Sequence, residues 1–83
     1  MQPGQDLLKK LSAKFEPSAL VNLKFRGNDI VVKTDEQGNA TTAFIGKMND
    51  EGIIKGDRYS RKLLYNRDGT VLKDHWDYKG KVR

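Results

Sequence analysis

The residues best suited to chemistry in this chain are cations. Between positions 55 and 67 lie Lys55, Arg58, Arg61, Lys62 and Arg67 against the single acid Asp57, with Tyr59 and Tyr65 interleaved. Lys73, Trp76 and Tyr78 follow shortly after. Small β-proteins that hold single-stranded nucleic acid place basic side chains along a groove and stack bases on exposed rings. A hydrophobic core has an equal claim on those rings. A domain of 83 residues with seven aromatics can seldom spare its tryptophan for the surface. On that reading Arg61 and Arg58 neutralise Asp74 and Asp77.

Strand alternation sorts the cations. Arg58 and Lys62 share one face, while Arg61 lies on the other with Tyr59. With Tyr59 and Trp76 wanted inside, the candidate nucleic-acid-binding residues are Lys55, Arg58, Lys62 and Lys73. They have few rings beside them.

Enzymatic constellations are thin, and no catalytic residue is assigned. The one histidine, His75, lies in Lys73-Asp74-His75-Trp76-Asp77, where Asp77 shares its strand face and can orient its ring. A zinc site needs about four ligands, and the chain has no cysteine and no second histidine. The acidic clusters Asp35-Glu36 and Asn49-Asp50-Glu51 lack the spacing of a calcium loop and read as turns. Gly4, Gly38 and Gly52 are isolated, so no phosphate-cradling loop is present. No metal or cofactor is expected.

The elements that must position these residues follow from periodicity. Leu7, Leu8, Leu11 and Phe15 recur at spacings of three and four and predict a helix over about 6–16. Asp6 is placed to cap it and Pro17 to end it. A helix this short is marginal alone and must dock on a partner face. From about residue 19 to 78 the pattern changes to short apolar runs separated by turn signals. Val21, Leu23 and Phe25 alternate, as do Ile30, Val32 and Thr34, with Gly27-Asn28 between them as a two-residue turn that sets Phe25 opposite Ile30. Lys24, Lys33 and Asn22 take the opposite face, with Val31 as the apolar exception. In the third strand, about 40–47, Ala43 and Ile45 fall on the face of Val32, and Thr42 and Phe44 on the other.

Further on, Gly46 and Gly56 lie at comparable positions of facing strands, where a small sheet can bend. For the hairpin closed by Asn66-Arg67-Asp68-Gly69, two registers compete. One sets Arg61 against Asp74 and Tyr59 against Trp76. The other carries a glycine bulge and sets Lys62 against Asp74. The first pairs the aromatics and is preferred. Residues 79–83 read as a polar tail.

The fold class is therefore mainly β (α+β). One N-terminal helix precedes a curved antiparallel meander of about five to six strands, as a half-open or closed small barrel in a single domain spanning 1–83. The formal charge is +5, and residues 46–83 hold ten basic and six acidic residues, which admits acidic partners or nucleic acid. No apolar run approaches the ~20 residues that span a bilayer, so no membrane role is expected, and a cytoplasmic location is the default. These features point to a non-enzymatic binding module acting through a protein partner, or through a homodimer at a sheet edge. The alternatives are a basic β-protein binding single-stranded nucleic acid and a small-ligand half-barrel.

Overall fold

Alternation of apolar and polar residues across four turn signals produces five strands, and the computed structural model describes residues 4–82 of the chain. The order is α1 (Gln5–Leu11), β1 (Leu20–Phe25), β2 (Asn28–Thr34), β3 (Ala40–Met48), β4 (Ile54–Tyr65) and β5 (Val71–Val82). The strands form one antiparallel sheet in sequence order, β1-β2-β3-β4-β5. It stays open, so the closed-barrel form of the expectation is corrected. With six residues in β1 and twelve in β5, a closed seam would leave half of β5 without a partner.

The first hairpin corrects the expected register. Leu23 opposes Ile30, Val21 opposes Val32, and Phe25 opposes Asn28. The two loop residues are Arg26 and Gly27, at φ 49° and 80°. A tight turn with positive φ at both positions wants glycine second, and this moves the pairing by two residues. A shift of two leaves every side chain on its expected face. Ile30 and Val32 are fully buried, and Lys24 is exposed.

One face carries the core. Across the sheet run Val21, Val32, Ala43, Tyr59 and Tyr78, each directly opposite the next. Leu11 of α1, fully buried, joins Ile30, Val32, Ala40, Ala43, Tyr59 and Trp76 in a single cluster, with Leu7, Leu8 and Phe15 packed against it. The helix is shorter than its periodicity predicts. After Leu11 the chain straightens, because Lys14 bridges Asn39 in antiparallel fashion and the Phe15 amide donates to the Gly38 carbonyl at 2.9 Å. Asp6 does not cap the helix, whose N-cap is Gly4. Its carboxylate pairs instead with Arg26 at 2.5 Å, tying the helix to the first turn.

Two β-bulges set the last hairpin, and neither expected register survives them. Tyr65 opposes Val71, then the pairing slips so that Lys62 meets His75, Arg61 meets Trp76 and Tyr59 meets Tyr78. The expected face assignments persist, and Arg61 still reaches Asp74, diagonally, at 2.7 Å. Arg58 meets Gly80, not Asp77. Residues 79–82, expected as a tail, extend β5: Gly80 at φ 99° absorbs the second slip, and Lys81 then pairs with Asp57 at 2.9 Å. Arg83 lies outside the described residues.

Gly46 and Gly56 face each other as expected. A Cβ on Gly56 would lie 2.0 Å from the Ile45 carbonyl oxygen, so the two backbones come closer here than any side chain permits.

Candidate functional site

The charges of this molecule are divided between the two sides of the sheet. On the helix-covered side Arg26, Arg61 and Lys81 are paired with acids. The Arg61 guanidinium makes a two-pronged contact with Asp74, with Nε and one terminal nitrogen each 2.7 Å from a carboxylate oxygen. It also donates to the Ala40 carbonyl and lies over the Trp76 ring at 5.7 Å. The hydrogen bond from Arg61 holds the Asp74 carboxyl below its ordinary range despite partial burial, and raises the Arg61 pKa in return. Asp57 accepts from Lys81 and from the Tyr78 hydroxyl, and the Lys81 bond is the main reason its pKa is lowered. Asp35 is buried enough to raise its pKa. Bonds from Asn39 and the Gln37 amide outweigh that and lower it.

Strand alternation turns a different set of side chains to the helix-free side. One row crosses all five strands: Asn22, Val31, Phe44, Arg58 and Gly80. The next holds Leu20, Lys33, Thr42, Ser60 and Asp77. Towards the β4–β5 turn come Lys62 opposite His75, then Leu64 opposite Lys73. Lys33, Arg58, Lys62 and Lys73 are all exposed, and among the described residues none of the four forms a salt bridge. The acids of this side are engaged: Asp29 with Lys24 at 3.5 Å and with the Met48 amide, and Asp77 with His75 at 2.7 Å.

Of the expected basic set, Arg58, Lys62 and Lys73 come together on this side. Lys55 does not join them, because it stands an odd number of residues from Arg58 on an uninterrupted stretch of β4 and opposes Lys47. Tyr59 and Trp76 are 7% and 2% exposed and belong to the core. Tyr65 remains half-exposed, and its hydroxyl accepts from Asn39 at 3.0 Å.

Sequence reasoning passed over the apolar part of this side. Val31, Phe44, Gly52, Ile53 and Ile54 line an open cleft of about 200 Å³. Val31 and Phe44 are direct cross-strand neighbours, and Ile54 is buried outside the main core cluster. The signal was present. Val31 was the one apolar residue on an otherwise polar strand face, and Phe44 was the aromatic on the wrong side of its own strand.

Among the described residues no group of three or more His, Cys, Asp or Glu side chains could hold a metal ion. Nor is any helix among them long and apolar enough to cross a membrane. Compared with known proteins, the chain matches no family model, no curated protein and no solved structure at a significant level.

Proposed function

We propose that this chain is a non-enzymatic binding module whose working surface is the helix-free side of the sheet, and that it acts through a protein partner. One observation carries the reading. Among the described residues, four exposed cations without an ion pair run along this side from an apolar cleft, whereas Arg26, Arg61 and Lys81 of the other side are tied to acids. Isolated surface lysines are ordinarily just solvated. Cations beside unfilled apolar surface combine the two ingredients of a protein interface, a desolvated centre and a polar rim. A ligand held between helix and sheet has less support, since Leu11 and the core residues fill that space and the sheet is open. The cytoplasm is the setting proposed with it, as the chain has no cysteine to pair in an oxidising compartment.

The same cations favour single-stranded nucleic acid as the second reading. Among the described residues Phe44 and the His75 imidazole are the aromatic rings of this side, which is few for a surface that works by stacking.

A peptide-display selection tests the proposal. The immobilised chain should enrich specific sequences, and a chain carrying Arg58→Glu with Lys62→Glu should not. Amide shifts of the labelled protein should map the enriched peptides to β2, β3 and β4 around Phe44. Enriched peptides that map instead to the β1 edge or to the β4–β5 turn would refute the assignment of the surface.

A further inference from the structure

The helix-free side is chemically graded, and the gradient specifies what can lie on it. At one end is the cleft walled by Val31, Phe44, Ile53 and Ile54, a space on the scale of one large side chain. Directly across from Phe44 stands Arg58, and Lys33 sits one row on, followed by Lys62 and then Lys73. From Arg58 to Leu64, the residue opposite Lys73, the strand travels about 20 Å, the length of an extended segment of about six residues. The far rim of the cleft has the opposite sign. Asp50 and Glu51 precede Gly52 in the turn, and both are exposed.

We infer that the occupant of this surface is an acidic protein segment that plants one large apolar side chain in the cleft and lays carboxylates across Arg58, Lys62 and Lys73. This rests on the reading of the helix-free side as the binding surface, and adds the chemistry of the ligand. Charge complementarity sets its polarity. Carboxylates are attracted on the Arg58 side of the cleft and repelled on the Asp50–Glu51 side, so the apolar anchor stands at one end of the acidic run, not in its middle. Nucleic acid shares the charge but not the cleft. The lining residues bring apolar side chains and one glycine, with no side-chain donor or acceptor to read a base edge, and Phe44 offers one half-buried ring where a stacking surface needs several. An aliphatic or aromatic side chain needs only burial there.

The test is an amide-shift titration of the labelled chain with synthetic peptides of about eight residues. Each has a leucine at one end and alternating glutamate and serine after it, in both chain directions. Matched controls replace every glutamate by glutamine, or the leucine by alanine, and oligothymidylate is titrated separately. At least one acidic peptide should give saturable shifts at Val31, Phe44, Ile54 and Arg58. Either control, or Arg58→Glu with Lys62→Glu in a chain shown to be folded, should weaken binding by about tenfold or more. If the glutamine peptide binds the same residues equally well, the acidic chemistry is overturned while the surface assignment stands. If oligothymidylate binds this side more tightly than either acidic peptide, the occupant is nucleic acid and the inference fails. If neither acidic peptide shifts these residues at millimolar concentration, the inference fails with the surface.

Discussion

The two sides of one sheet are built from the same strands, residue by residue in alternation, yet they spend their side chains differently. On the helix-covered side, aliphatic and aromatic residues from all five strands close over Leu11, and charged groups at the margin find partners: Arg26 with Asp6, Arg61 with Asp74, Lys81 with Asp57. On the helix-free side Val31, Phe44, Ile53 and Ile54 line one cleft, and Leu20 and Leu64 lie apart from it. Lys33, Arg58, Lys62 and Lys73 form no ion pair among the described residues. A small domain has few residues to spare for a core. Here it places a phenyl ring and a buried isoleucine away from that core, beside cations. The contrast teaches that in a five-stranded open sheet the period-two pattern can give the two sides different chemistry within each strand.

The largest expected effects fall on the helix-covered side. Leu11→Ala removes a fully buried side chain from the centre of the core and should cost about 2–5 kcal/mol, enough to unfold much of the population of so small a domain. Phe44→Ala, at a half-buried ring on the other side, should cost markedly less. Thermal or denaturant unfolding of the two variants checks the difference, and equal losses would erase the distinction between the sides.

Next comes the crossing point of the two glycines. Gly56→Ala places a methyl group 2.0 Å from the Ile45 carbonyl oxygen, so β3 and β4 must part locally. A loss of about 2–3 kcal/mol is expected, read by the same unfolding measurement and by faster amide exchange around Ile45. An unchanged exchange pattern would mean that the strands do not meet this closely.

Asp74→Ala should cost about 1–2 kcal/mol. It leaves the Arg61 guanidinium, 6% exposed, without its two-pronged partner, although the exposure of Asp74 itself screens part of the interaction. The same pair gives a pH dependence. The folded-state pKa values of Asp35, Asp57 and Asp74 are depressed, so their stabilisation is fully present above about pH 4 and is lost as pH falls through the lowered values. Melting temperature should therefore drop on acidification below that point, with a shallower fall for Asp74→Asn. The smallest effect is expected at His75. His75→Gln should change stability by no more than about 0.5 kcal/mol, as both His75 and Asp77 are substantially exposed, and a larger loss would give the helix-free side a folding role.

Faces were legible in the sequence, and registers were not. Ile30, Val32, Ala43, Tyr59 and Trp76 all lie on the side their alternation assigns, because face depends only on parity along a strand. Register depends on turn dihedrals and bulges. Arg26 at positive φ gave no composition signal, since arginine is not a turn residue, so the first hairpin slipped by two. The slips beside Leu64 and Arg58 likewise leave no mark that a period can detect. Phe15 kept its helical spacing after leaving the helix, because a long-range bridge to Gly38–Asn39 replaced the last turn. The basic half of the site was visible as a run of cations. The cleft was not, because it needs Val31 and Phe44 from neighbouring strands and Ile53–Ile54 from the next turn, and their proximity follows from pairing across β2, β3 and β4.

Neutralising charge on each side in turn addresses the division directly. One variant replaces Lys33, Arg58, Lys62 and Lys73 with glutamine, which lowers the formal charge from +5 to +1. Another replaces the paired cations Arg26, Arg61 and Lys81 in the same way. Thermal melting of the first should match the unmodified chain or exceed it, because like charges are removed and no ion pair is lost. Melting of the second should fall by several degrees, about 4–8 °C for each kcal/mol in a domain of this size. A comparable fall for the first variant would show that those four cations hold the fold together and are not reserved for a partner.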